Sequence, residues 1–148
     1  PEVRTRYDLS SHQRALHAAA PCPVPIKREM IEWWGPIINE YYAGSEGVGM
    51  TLIKAEDWLT HPGSVGKAIH GTLHVCDAEG EEVPAGQDGL LYFENDLIPT
   101  YHNDPEKTRE AMHPKGWMTL GDIGHVDEDG FLYLTDRKSH MILDLKQL

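Results

Sequence analysis

The chain has 148 residues, 40% of them apolar, and 24 acidic against 13 basic side chains give a formal net charge of −11. That length allows one domain burying roughly 70% of its unfolded surface, and the acidic excess excludes nucleic acid and anionic membranes as partners, since both need a positive face. No apolar stretch approaches the roughly 18 residues of a membrane span, and two separated cysteines, Cys22 and Cys76, are too few for a disulfide framework, so reduced thiols and a cytoplasmic location are expected.

Residues 1–11 are charged and irregular, and Pro1 follows no initiator Met or signal-like segment, so the chain reads as the interior of a longer one. Arg14–His17 can form a strand. Pro21, Pro23 and Pro25 exclude a helix until after them. Ile26, Met30, Ile31 and Trp34 then fall at helical spacing, and Gly35-Pro36 stops the helix. Ile37–Tyr42 reads as a second strand. Strand, loop, helix and strand make a piece of an α/β layer, assigned to residues 1–47.

From Met50 the pattern becomes a series of short β-prone runs: Met50–Ile53, Ser64–Ala68, Gly71–Cys76, Gly89–Glu94, Met118–Gly121, Ile123–Val126 and Phe131–Thr135. Turn residues separate them, as at His61-Pro62-Gly63 and Asp77-Ala78-Glu79-Gly80. One helix, Asp104–Met112, interrupts the series, with Asn103 or Asp104 as its cap and Pro105 in its first turn. The fold class expected is α+β: a distorted antiparallel β-barrel over residues 48–136, preceded by the strand–helix–strand piece and followed by a hinge at 137–148.

The last hairpin carries chemistry. Asp127-Glu128-Asp129-Gly130 is a tight turn, and the two free ends of an antiparallel hairpin lie side by side, so Asp122 and Arg137 can face one space. A carboxylate accepts from the paired hydroxyls of a ribose, and a guanidinium donates a planar fork to phosphate or hydroxyl oxygens. Taken alone, the two are a surface ion pair worth about 0–1 kcal/mol. Earlier in the chain, Tyr42 offers a flat face to a base, Ser45 a hydroxyl and Glu46 a carboxylate. The alternative is a buried strand aromatic followed by turn residues. His70 and His74 are spaced to share a strand face, but no Cys or His pair completes a zinc spacing. The acidic turn lacks the oxygen ligands of a calcium loop, with Phe131 and Lys138 where two would stand.

These stretches together resemble the adenylate-forming superfamily: acyl-CoA synthetases, peptide-synthetase adenylation domains and luciferases. The resemblance runs in order over residues 10–142. Its segments are Ala18-Ala19-Ala20-Pro21, Tyr41-Tyr42-Ala43-Gly44-Ser45-Glu46-Gly47, Pro62-Gly63-Ser64-Val65-Gly66-Lys67-Ala68 and Asn103-Asp104-Pro105-Glu106-Lys107-Thr108. Gly116-Trp117-Met118-Thr119-Leu120-Gly121-Asp122 and Asp129-Gly130-Phe131-Leu132-Tyr133-Leu134-Thr135-Asp136-Arg137-Lys138 complete it. The departures are Thr119 and Leu120 before Gly-Asp, Ser45 for Thr, and Ala43 for Gly, which requires φ below zero there.

The resemblance implies nucleotide binding by Ala19, Ala20, Pro21, Tyr41, Tyr42, Ala43, Gly44, Ser45, Asp122 and Arg137. Ala18–Pro21 would line adenine, Asp122 would hold the ribose hydroxyls and Glu46 would hold Mg²⁺. The cofactors implied are ATP/AMP, Mg²⁺ and CoA, and the partners a small-molecule carboxylic acid, the nucleotide and the rest of the parent enzyme. The superfamily's phosphate-gripping loop and C-terminal lysine domain are not in this sequence, so no catalytic residue is assigned. The expected function is therefore a fragment, itself inactive, of an acyl-CoA synthetase that activates a carboxylic, expectedly fatty, acid as the acyl-adenylate. The alternatives are a non-catalytic nucleotide-binding or regulatory remnant, a peptide-synthetase adenylation domain, or a plain β-rich interaction domain.

Overall fold

A computed structural model describes Arg4 and residues 6–137. Lys138 and the rest of the expected hinge segment lie outside the described residues. The elements are β1 (Ala15–His17), α1 (Val24–Trp34), β2 (Ile38–Ala43), β3 (Met50–Ile53), α2 (Ala55–Thr60), β4 (Lys67–His70), β5 (Thr72–Cys76), β6 (Gly89–Glu94), α3 (Pro105–Glu110), β7 (Met118–Val126) and β8 (Leu132–Arg137).

They form two open four-stranded sheets, β1-β2-β3-β4 and β5-β6-β7-β8. β1 and β2 are parallel, with α1 as their crossover, and the other neighbours are antiparallel. The mixed α+β class holds; the closed barrel expected over residues 48–136 does not. Strands β4 and β5 are separated by Gly71 alone, whose φ of +73° turns the chain out of the first sheet. The second sheet starts there instead of continuing the first. Residue 47, where two subdomains were expected to divide, falls between β2 and β3, which are neighbours in one sheet.

The two sheets meet at a short seam. Val65 N donates to Leu132 O and Leu132 N to Gly66 O, both at 2.9 Å. Two buried hydroxyls close it: Ser64 Oγ donates to Leu132 O at 2.8 Å, and Thr51 Oγ1 to Val65 O at 2.6 Å. Gly66 is required here. A Cβ on it would stand 2.1 Å from the Leu52 carbonyl, and its φ is +96°. That backbone also ends the strand expected at Ser64–Ala68, so β4 begins only at Lys67.

Burial follows the alternation of the strands and one stripe of α1. Ile31 of α1, Ile38, Ile53, Ala55, Trp58 and Phe131 form one core cluster; Val48, Phe93, Ala111 and Met118 a second; Val65, Val75, Leu91 and Leu132 a third. Tyr42 packs against the second and third. The runs expected at Met118–Gly121 and Ile123–Val126 are one strand, β7, with an irregular register at Ile123/Gly124. The turn after it forms as read: Asp127 Oδ1 accepts from Asp129 N at 3.0 Å and Phe131 N at 2.8 Å. Helix α3 is capped by Asp104, whose carboxylate accepts from Lys107 N at 2.9 Å. Among the described residues no helix is long and apolar enough to cross a membrane.

Candidate functional site

A cavity of about 510 Å³ opens between the two sheets. Its first wall is the loop between β1 and α1, residues 18–22. The helix after it starts at Val24, with Pro25 inside its first turn instead of ahead of it as expected, and Ala19 of the loop takes a φ of +74°. The second wall is the end of β2 and the turn after it: Tyr41, Tyr42, Ala43, Gly44 and Glu46. The third comes from the hairpin: Leu120, Asp122 and residues 134–137. Glu40, Trp58, Gly63 and Val65 close the floor.

Ten of the eleven residues singled out from sequence therefore line one space, brought there by segments far apart in the chain, with Tyr42 and Asp122 alone 80 positions from each other. Ser45 does not line it: its side chain is exposed and donates to Glu46 Oε2 at 3.4 Å. Ala43 keeps a strand backbone, as its Cβ demands; the positive-φ non-glycines among the described residues are Ala19 and Asn103.

Asp122 and Arg137 pair in register across β7 and β8, and Arg137 Nε stands 3.3 Å from Asp122 Oδ1. The Arg137 side chain is 56% exposed, so this pair adds little to stability. The other oxygen, Oδ2, accepts from the Tyr42 hydroxyl at 2.7 Å. Burial, and then the neighbouring Asp122 carboxylate, push the Tyr42 phenol far above its ordinary range, so it remains a neutral donor. Asp122 is thus held on both oxygens while 17% of its side chain remains open to solvent.

Glu46 is held as firmly. Tyr101 donates its hydroxyl to Glu46 Oε1 at 3.1 Å. Gly44 leaves room for that carboxylate: a Cβ there would lie 2.7 Å from Glu46 Oε2. Among the described residues no three His, Cys, Asp or Glu converge as a metal cage. A Mg²⁺ ion needs none, since it takes one or two carboxylates and completes its shell with phosphate oxygens and water. Glu46, lining the cavity with one lone pair left on each oxygen, fits that requirement.

Two features escaped the sequence reading. Lys27, on the inner stripe of α1, is 2% exposed and forms an ion pair with Glu40 on the cavity floor, its Nζ 4.7 Å from the Trp58 ring centroid. Burial pulls the Lys27 ammonium below its usual range, and Glu40 opposes that shift. A lysine four positions before Ile31 was the signal, because it shares that residue's face. Tyr101 was the other, and no local pattern links it to Glu46. His70 and His74 stand on different strands, β4 and β5, and not on one face as their spacing implied. His74 lies instead between Glu82 and Glu94, stacked on Trp117 at 3.6 Å.

A family model described as "AMP-binding enzyme" matches residues 1–101. Among curated proteins, the chain is 31% identical over 135 residues to a 2-succinylbenzoate–CoA ligase of Bacillus cereus, covering 90% of this chain and 28% of that one. It is 33% identical over 137 residues to a long-chain-fatty-acid–CoA ligase of Escherichia coli, covering 87% of this chain and 24% of that one. Among solved structures it is similar to the amide bond synthetase McbA of Marinactinospora thermotolerans, with a TM-score of 0.82 and 28% identity over 92% of this chain and 28% of that one. It is likewise similar to ATP-bound MatB of Rhodopseudomonas palustris, with a TM-score of 0.75 and 28% identity over 86% of this chain and 26% of that one. The chain thus spans 24–28% of the length of these curated relatives.

Proposed function

Because the chain belongs to the AMP-binding enzyme family, we propose that the protein carrying it activates a carboxylic acid with ATP as the acyl-adenylate and passes the acyl group to the CoA thiol. This chain's share of that work is to hold the nucleotide. The observation that carries the reading is the Tyr42–Asp122–Arg137 constellation facing residues 18–22 across one cavity. The Tyr42 ring gives adenine a stacking face, worth about 1–3 kcal/mol. The residue 18–21 backbone borders the base, and Asp122 accepts from the ribose hydroxyls. Arg137, exposed at the rim, donates to ribose or phosphate oxygens.

We assign Mg²⁺ to Glu46. When bound, the ion would offset phosphate charge in a cavity already lined by Glu40, Glu46, Asp122 and Asp136. The acid is proposed to be a fatty acid, a reading supported by the likeness to the long-chain-fatty-acid–CoA ligase. The likeness to a 2-succinylbenzoate–CoA ligase supports an aromatic acid as the competing substrate. A reduced pair of thiols, Cys22 and Cys76, suits a cytoplasmic enzyme.

On its own the 148-residue chain is proposed to bind AMP at about millimolar affinity, near −4 kcal/mol, and to catalyse no adenylation. Titration with AMP and with ATP·Mg²⁺, followed by NMR, tests the first statement; absence of shifts around Tyr42 and Asp122 would remove the nucleotide site. Pyrophosphate exchange by the whole protein, with fatty and aromatic acids side by side, tests the activity and ranks the two acid classes.

A further inference from the structure

We propose that Tyr101 is the positioning residue for Glu46: its hydroxyl aims the carboxylate into the cavity, where it meets the cation that accompanies a polyphosphate. The inference rests on the nucleotide reading above and adds to it a residue that lies outside the cavity lining.

Tyr101 belongs to the segment between β6 and α3 and reaches Glu46 from 55 positions away. Ring and backbone are both fixed. Lys107 Nζ stands 4.0 Å from the ring centroid, and the Tyr101 backbone N donates to Thr108 Oγ1 at 2.9 Å. The hydroxyl therefore has one direction to donate, to Glu46 Oε1 at 3.1 Å. The other oxygen, Oε2, accepts from Ser45 and lies over the bare Gly44 backbone. Each oxygen keeps a free lone pair, and Glu46 lines the cavity beside Gly44 and Leu120.

The need for a cation follows from charge. Glu46 and Asp122 line one cavity, and the chain carries −11. A polyphosphate entering that space requires a positive partner, and a carboxylate held open by two hydroxyls provides its anchor. A freely rotating Glu46 would lose that orientation. Outer partners of a metal-binding carboxylate typically contribute 10–100-fold to metal affinity.

The test uses the 148-residue chain with ATP and Mn²⁺, a paramagnetic probe in place of Mg²⁺, and reads line broadening of amides around Glu46. Tyr101→Phe keeps the ring and its packing, and is expected to raise the Mn²⁺ concentration for half-maximal broadening about tenfold, leaving AMP binding without metal unchanged. Glu46→Gln is expected to abolish the metal-dependent broadening, and the double variant to match Glu46→Gln alone. An unchanged Mn²⁺ curve in Tyr101→Phe, with Glu46→Gln still silent, overturns the positioning role and leaves the metal assignment standing. Broadening that survives Glu46→Gln overturns both. Equal losses of AMP and metal response in Tyr101→Phe make the residue a packing element only and overturn the proposal.

Discussion

Tyr42 and Asp122 share a 2.7 Å hydrogen bond across the cavity, from β2 of one sheet to β7 of the other. The bond gives the tyrosine two tasks. Its ring is the proposed stacking face, and its hydroxyl fixes the acceptor proposed for the ribose.

Asp122→Ala is expected to weaken AMP binding at least tenfold, since a hydrogen bond to a charged group contributes about 1.5–3 kcal/mol and two ribose hydroxyls are involved. Tyr42→Phe keeps the ring and loses only the hydroxyl, so its loss should be smaller than that of Tyr42→Ala, which also removes stacking. Chemical-shift titration of the three variants gives the ranking. Equal affinities for Tyr42→Phe and Tyr42→Ala would show that the ring does not touch the base.

Tyr42 also sets an alkaline limit. Its phenol is raised in the folded chain above the ordinary tyrosine value of 10.0. A raised pKa means the folded state holds the proton more tightly, so its stabilisation is complete below pH 10.0 and is lost as pH rises beyond that value. Urea melts between pH 8 and 11 should show wild-type stability falling faster above about pH 10 than that of Tyr42→Phe. Other tyrosines titrate in both proteins, so only the difference between the two curves reports on Tyr42. Parallel curves would mean the phenol is not buried against Asp122.

Lys27→Met is expected to destabilise the chain by about 3–5 kcal/mol, because it leaves the buried Glu40 carboxylate with only the His17 ring, 3.4 Å from Oε1, beside it. Lys27→Met combined with Glu40→Gln removes both charges and should recover most of that loss. Chemical denaturation of both variants measures the coupling, and additive losses would show that the two side chains act independently.

Gly66 and Gly86 share a positive φ, +96° and +81°, but a Cβ at Gly66 meets the Leu52 carbonyl at 2.1 Å while one at Gly86 meets nothing within 4 Å. Gly86→Ala should therefore cost only the backbone penalty of about 1–2 kcal/mol. Gly66→Ala should cost clearly more, since the seam between the sheets must open. Thermal melts of the two variants decide it, and equal melting temperatures would mean the close approach at Gly66 relaxes freely.

Much of the secondary structure was readable because it rests on local chemistry. Met50–Ile53 and Gly89–Glu94 form as read, and the hairpin of the Asp127–Gly130 turn brings Asp122 opposite Arg137, though only through the register shift at Ile123/Gly124, which the sequence did not signal. Helix α2 was not readable: over six residues it buries only Ala55 and Trp58, too few points to define a period. The barrel failed because closure depends on where the chain leaves a sheet. That exit is the backbone angle at Gly71, which no hydrophobic pattern encodes. In the site, each wall could be read from its own segment. The bonds between walls, Tyr42 to Asp122 and Tyr101 to Glu46, join residues far apart in sequence, and only the packing of the two sheets brings them together.

The cavity wall at Tyr41–Ala43 belongs to the first sheet and the wall at Asp122 and Arg137 to the second, and the backbones of the two sheets join in a two-rung ladder between Val65–Gly66 and Leu132. The ladder acts as the pivot of a clamp: its length fixes the aperture, and a molecule bridging the jaws braces it from the far side. Occupancy of the cavity is therefore legible at the pivot, as slower deuterium uptake at the Val65 and Leu132 amides, neither of which needs to touch the guest.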